Sequence, residues 1–467
     1  MHSSHSSFSK VSLSVALMIL LVGCGGSATA PSGTAAPHAS IAPGGASSPA
    51  ASAANYPATI PADKQATIVF YSYNLASAGI GKDATEQLIT EFQQKFPNIH
   101  IDARGVPNTD INAKIQAEAA AGNTPDVVQE GFGDLDFVAN GLKAKPLETI
   151  VPPDEYKAYI GGEYPLNANG LKLGQIDGKT YGIPYTFSTP TLFYNADLFT
   201  AAGLDPMKPP TTWPETKQVA QAIKDKTAKQ GIVVDCLGQF DWCFQGIVRS
   251  NGGRVLSEDR TRPMFAELPA VDAVKMWQDL VQSGVHPQLN EADAVAAFQA
   301  GNLGMILTSS AAQASFLTAA QGKFTVRDGK MPAFPGKAAV PTNSGSGLFI
   351  LAGDPIKQRA AWEFMKFVTS ERGYTIITSK IGYLPLRTGI VNDDRYLKQW
   401  AQDHPLVQPN LEQLQVLEPW IAWPGPNYQQ EKEIMMKAVE QVVYNGASAD
   451  TTLKQAQDRV APLMPKK

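Results

Sequence analysis

At 467 residues, with 43% hydrophobic and 18% charged side chains, the chain is long enough for two or three domains and has an ordinary globular composition. Its formal net charge of −4 argues against a nucleic-acid-binding protein, whose surface needs a basic stripe.

The amino terminus reads as an export signal. Lys10 precedes an apolar run over residues 11–22, too short for a permanent membrane span, which ends in Leu21-Val22-Gly23-Cys24. That ending resembles the bacterial lipobox, in which residues 1–23 are removed and the Cys24 thiol is lipidated. The plainer alternative is a signal peptide with an incidental cysteine. Residues 25–62 hold no Asp, Glu, Lys or Arg and are rich in Ala, Ser, Gly and Pro, so residues 24–63 predict a disordered tether. No later segment has the apolar length to span a membrane.

Folded structure is expected from about Thr67. Residues 67–71 form a strand, Asp83 and Glu86 have the spacing of a capping box, and Leu88, Ile89, Phe92 and Phe96 mark one helical face. A strand at 99–102, a helix over 108–121 and a strand at 126–129 complete the alternating rhythm of a parallel sheet. Ligands of such sheets lie beyond the carboxyl ends of the strands, which places Tyr73, Asn74 and residues 130–134 at a cleft. Residues 185–194 are β-rich and uncharged, as in a buried strand, but Pro184 and Pro190 force it to bend or change partners. Asn195 caps a short helix that stops at Gly203, and a Pro-rich turn leads to a helix over 213–226. Helices over 269–283 and 292–299 precede a strand at 303–307 that ends in Thr308-Ser309-Ser310. Asn343-Ser344-Gly345-Ser346-Gly347 then runs into the apolar Leu348-Phe349-Ile350-Leu351, followed by a helix over 357–369.

Cys236 and Cys243 lie seven positions apart. They form either a local disulfide or a reduced, buried pair, and two thiols without a nearby histidine are too few for a metal. His100, His286 and His404 stand in no metal or triad context, and no P-loop, H-E-x-x-H or G-x-G-x-x-G fingerprint occurs in the mature chain. Gly345-Ser346-Gly347 lacks the glycine spacing of a nucleophile elbow. No cofactor is expected. A binding cleft asks for less: hydroxyl, amide and aromatic side chains suit a sugar or polyol. The candidates are Tyr73, Asn74, Ser188, Thr189, Trp242, Ser309, Ser310, Gly345, Tyr383, Trp420 and Trp423. For each there is a structural alternative, a core tryptophan or a capping serine.

Ser188-Thr189-Pro190-Thr191-Leu192-Phe193-Tyr194-Asn195, Ala202-Gly203-Leu204-Asp205-Pro206, the turn ending in Thr212-Trp213, and Gly382-Tyr383-Leu384-Pro385 together resemble family 1 extracellular solute-binding proteins. These are the capture subunits of bacterial ABC importers for sugars and glycerol phosphates, and the resemblance spans about residues 67–463. It implies an α/β, two-lobed periplasmic-binding-protein-like fold (type II) with a multistrand hinge. Lobe one comprises residues 64–187 and 348–382, lobe two 188–347 and 383–467. It further implies ligand contact at Ser188, one of Ser309 and Ser310, Gly345 and Tyr383, while Trp242 matches a tryptophan in a loop of the relatives. Two departures stand out. Phe132 occupies the position of an acidic residue in glycerol-phosphate-binding members, and Trp423-Pro424-Gly425-Pro426-Asn427 has no arginine where they carry one for phosphate.

The function expected is a lipid-anchored, extracytoplasmic, monomeric capture subunit, not an enzyme. It binds a saccharide, polyol or glycerol-phosphate-type solute, with a neutral carbohydrate or polyol-containing ligand favoured over glycerol 3-phosphate by the missing arginine, and meets the transmembrane subunits of an ABC permease. A lipoprotein ligand sensor and a secreted carbohydrate-active enzyme are the competing readings.

Overall fold

The computed structural model describes residues 59–465 apart from 62, 77–79, 239 and 240. The export signal, Cys24 and nearly all of the tether lie outside the described residues.

The strands are β1 (Ala66–Ser72), β2 (Ile99–Gly105), β3 (Val127–Gly131), the short hairpin β4 (Gln175–Ile176) and β5 (Lys179–Thr180), β6 (Gly182–Ser188), β7 (Pro190–Asn195), β8 (Gln230–Val234), β9 (Leu303–Ser309), β10 (Val326–Lys330) and β11 (Ser344–Ile350). One lobe is built on a five-stranded sheet, β2-β1-β3-β11-β6, and the other on a four-stranded sheet, β10-β7-β9-β8. β1 runs parallel to both β2 and β3, whereas β11 is antiparallel to β3 and β6. In the second sheet β8 and β9 are parallel and β7 is antiparallel to β9 and β10.

The uncharged run over 185–194 proves to be parts of two strands in different sheets. β6 pairs with β11, β7 pairs with β9, and only Thr189 lies between them. Proline accounts for the change: Pro190 has no N–H to extend a ladder, and Pro184 sits where the β6–β11 register shifts.

Other boundaries move as well. The helix Ile80–Lys95 starts before Asp83, which lies in its first turn instead of capping it. β11 begins at Ser344, so the polar start of that segment already belongs to the first sheet. Nor does the chain leave the first lobe at Gly382-Tyr383-Leu384-Pro385. The N–H of Leu384 donates to the Phe187 carbonyl (2.8 Å), and Arg387 donates to the carbonyls of Thr369, Tyr159 and Tyr164 (3.1, 2.8 and 2.6 Å). The return comes with the helix Val407–Gln413, whose Asn410 and Gln413 reach β7, β10 and the crossing.

Each lobe packs its helices by aromatic contact. In the first, Phe92 of the helix Ile80–Lys95 and Phe70 of β1 meet Phe364 edge-on, with centroids 5.2 and 5.1 Å away. In the second, Thr212 and Glu215 form a capping box that starts the helix Trp213–Thr227, which buries Trp213, Ala220 and Ile223.

His286 is part of this second core and is 2% exposed. Its Nε2 accepts the N–H of Val234 (2.8 Å) and the indole N–H of Trp277 (3.3 Å), while Nδ1 pairs with the Pro287 carbonyl (2.7 Å). Burial holds the imidazole neutral and pulls its pKa from 6.5 down to about 4. The unfolded chain therefore binds a proton between those values that the folded chain refuses. This contribution is whole above about pH 6.5 and is lost as pH falls toward 4. Urea unfolding at pH 7 and pH 4.5 tests it: His286→Gln should lack roughly 2.5 kcal/mol of the wild-type stability difference between the two pH values.

Candidate functional site

Beyond the carboxyl ends of β1 and β3, the first lobe builds a buried polar hub. Gln129 is its centre: Nε2 donates to Ser346 Oγ (2.9 Å) and Asn74 Oδ1 (3.3 Å), and Oε1 accepts from Ser72 Oγ (2.5 Å). Ser346 Oγ lies 2.6 Å from Thr186 Oγ1, which in turn lies 3.2 Å from the Tyr73 hydroxyl. Burial, and then the nearby Tyr73 phenol, push the Tyr383 phenol up; burial also raises Tyr73. The hub thus joins Tyr73, Asn74 and Tyr383, which the sequence singles out, through Gln129, Thr186 and Ser346, which it does not. Gly345 borders it at φ 121°, and a Cβ there would stand 2.0 Å from the Thr186 carbonyl oxygen.

Ser188, Thr189, Ser309 and Ser310 come together at the first crossing. Ser309 Oγ donates to Ser188 Oγ (2.8 Å), and Ser310 Oγ accepts the N–H of Thr189 (3.2 Å). Ser188, Thr189 and Ser310 are buried, so Ser309 is the member with surface to offer a ligand.

A cavity of about 790 Å³ opens between the lobes. Asn108, Thr109, Asn112 and Asp134 line it from the first lobe, Asp235, Leu237, Gly238 and residues 288–291 from the second, and the helix Tyr428–Asn445 closes one side. None of the eleven hydroxyl, amide, glycine and aromatic candidates named from the sequence lines it, whereas Asp134, from the stretch 130–134 placed at the cleft, does. Cys236 and Cys243 form a disulfide, Cα atoms 5.1 Å apart, and fasten the loop that carries Leu237 and Gly238. Asp235 is pushed up to about 7 by burial and then by Glu291, and its Oδ2 accepts from Thr308 Oγ1 (2.8 Å). Glu130 follows the hub residue Gln129 in β3 and feels the charge of the cavity-lining Asp134. Both its oxygens are buried without a hydrogen-bond partner, and burial, then the charge of Asp134, hold its carboxyl well above the usual range.

The three tryptophans have structural duties. Trp423 is 1% exposed and packs near Phe265, its indole N–H donating to Asp241 Oδ2 (2.9 Å). Trp420 donates to Asp241 Oδ1 (2.8 Å), and its ring lies where a Cβ on Gly133 would approach within 2.4 Å. Trp242 begins the helix Trp242–Ser250, and its carbonyl accepts from Thr342 Oγ1.

A model of the bacterial extracellular solute-binding proteins matches residues 87–407, across both lobes. The chain belongs to that family. As a solute-binding protein it is 25% identical over 364 residues to the sn-glycerol-3-phosphate-binding periplasmic protein UgpB of Agrobacterium fabrum, covering 71% of this chain and 78% of that one. Its fold is shared with the cyclic alpha-maltosyl-1,6-maltose binding protein of Arthrobacter globiformis (TM-score 0.73, 23% identity, 85% and 99% of the two chains). It is also shared with UgpB of Mycobacterium tuberculosis, solved with glycerophosphocholine (TM-score 0.74, 21% identity, 85% and 98%). The architecture is the two-lobed α/β fold expected.

The strained glycine at the hub gives a direct check on this solute-binding protein. Gly345→Ala should lower unfolding stability by more than about 1 kcal/mol, because the new methyl group meets both a left-handed backbone and the Thr186 carbonyl. An unchanged denaturant midpoint would mean that β11 does not approach β6 this closely.

Proposed function

We propose that this protein captures an uncharged, polyhydroxylated solute of saccharide type between its lobes and delivers it, as a monomer anchored by lipid on Cys24, to the transmembrane subunits of an ABC importer. The observation that carries the reading is the lining of the interlobe cavity. Side-chain amides of Asn108, Asn112, Gln288, Asn290 and Gln429 line it, and an amide with free capacity can donate to one hydroxyl and accept from another. Of the charged lining residues five are carboxylates, Lys432 and Lys437 are the cations, and no arginine stands among them. A phosphate would be buried here against net negative charge, whereas hydroxyl groups can donate to the carboxylates. Tyr73, Ser309, Gly345 and Tyr383 are the half-buried members of hub and crossing, and they meet the end of the solute nearest the hinge. Contacts to both lobes favour the shut form in proportion to its tighter binding.

A thermal-shift panel of maltose, maltotriose, glycerol, glycerol 3-phosphate and glycerophosphocholine tests the reading. A saccharide at about 100 times its dissociation constant should add roughly 2.7 kcal/mol of apparent stability, while the phosphates add none. Asn108→Ala and Gln288→Ala should each weaken that saccharide about fivefold in calorimetry without lowering the melting temperature of the ligand-free protein. A shift with the glycerol phosphates alone would overturn the saccharide reading.

A further inference from the structure

Asp136 lies in the first lobe, just beyond the turn Phe132–Asp134 that follows β3, and is 9% exposed. Among the described residues, its carboxylate has two partners. Oδ2 accepts the N–H of Gly425 (3.1 Å), and Oδ1 faces the Arg260 guanidinium (3.5 Å). Both partners are fastened to the other lobe. Gly425 is packed so that a Cβ would stand 2.6 Å from Pro465, and Asn427 holds the Leu463 carbonyl (3.0 Å). Trp420, Ile421 and Trp423, just upstream, are tied to Asp241 and Gln245.

Arg260 is held with equal care. It sits in a turn whose ends pair Leu256 with Pro263, and Ser257 Oγ accepts the N–H groups of Thr261 (3.1 Å) and Arg262 (3.0 Å). Within that turn Arg260 adopts φ 54°, a left-handed backbone that disfavours every side chain and suits glycine. A turn that only needed to reverse the chain would be better served by glycine. The side chain kept there is the one that reaches across to Asp136.

We infer that Asp136, Arg260 and Gly425 form a latch between the lobes that keeps a share of the solute-free molecules shut. Every partner of the Asp136 carboxylate is supplied from the far side, so the pairing exists only when the lobes are together and water replaces it when they part. The bare contact of Trp420 with Gly133 lies on the same face and lets the lobes approach without a side chain between them. Because the latch needs no ligand, it holds whichever solute the cleft takes. A pair at the edge of the lobe contact, half-buried on the arginine side, should change the shut-to-open ratio about fivefold, and affinity for the solute would follow the shut fraction.

Small-angle X-ray scattering of the exported chain, freed of bound solute by unfolding and refolding, reads the ratio directly. At 50 mM salt, Asp136→Asn and Arg260→Ala should each raise the radius of gyration in keeping with a fivefold loss of the shut form. In 1 M salt the wild type should open toward the variants, while the variants stay unchanged. Arg260→Gly separates latch from scaffold: it should open the lobes as far as Arg260→Ala yet melt higher than that variant, because glycine fits the left-handed backbone. Identical low-salt scattering from wild type and variants would overturn the inference. So would opening that tracks the melting temperature, with the alanine variant more open than the glycine one.

Discussion

A strand that leaves one sheet for another exposes backbone groups that neither ladder can satisfy, and the whole molecule depends on how that need is met at Thr189. Its N–H goes to the Ser310 hydroxyl and its carbonyl accepts the Ser310 N–H. Its own hydroxyl donates to Asn410 and accepts from Gln413. Two elements of the second lobe, the turn at Ser310 that follows β9 and the helix Val407–Gln413, are thereby tied by four hydrogen bonds to the residue from which the first lobe's edge strand departs. A buried, unpaired amide at this point would cost on the order of the net worth of several ordinary hydrogen bonds, so the crossing is fixed in place.

The same demand for partners shapes the cleft. The hub spends almost all its polar atoms internally, which makes it a rigid wall, whereas the cavity presents amides and carboxylates with capacity to spare. Next to Gln129 in β3, Glu130 is buried with both carboxyl oxygens unpaired and feels the charge of Asp134. Burial there, beside a second acid, favours the protonated form of that carboxyl.

Much of the architecture was legible because it is written locally. β1, β2 and β3 are short segments that each open on aliphatic residues and are separated by helices, and Asn195 announces its helix by accepting the N–H groups of Asp197 and Leu198. The division of residues 185–194 was not legible: an uncharged β-rich run declares that it is buried without declaring in which sheet. The hub shows the same limit. Gln129 meets Ser346 across 217 positions, and nothing around either residue marks the pairing. Trp423 read as a cleft aromatic because the Asp241 that claims its indole N–H lies 182 positions away. The amides of the cavity were passed over for a related reason: asparagine before a helix reads first as a cap, and Asn290 is one, accepting the N–H of Asp293 while also facing the cleft.

The bond between Cys236 and Cys243 gives the cleft a history as well as a shape. In a reducing cytoplasm the two thiols stay apart, and the loop bearing Leu237 and Gly238 lacks that covalent fastening. Oxidation outside the cytoplasm supplies the missing constraint. The fastening that shapes this wall of the cavity is thus one that the solute-binding fold receives only after synthesis.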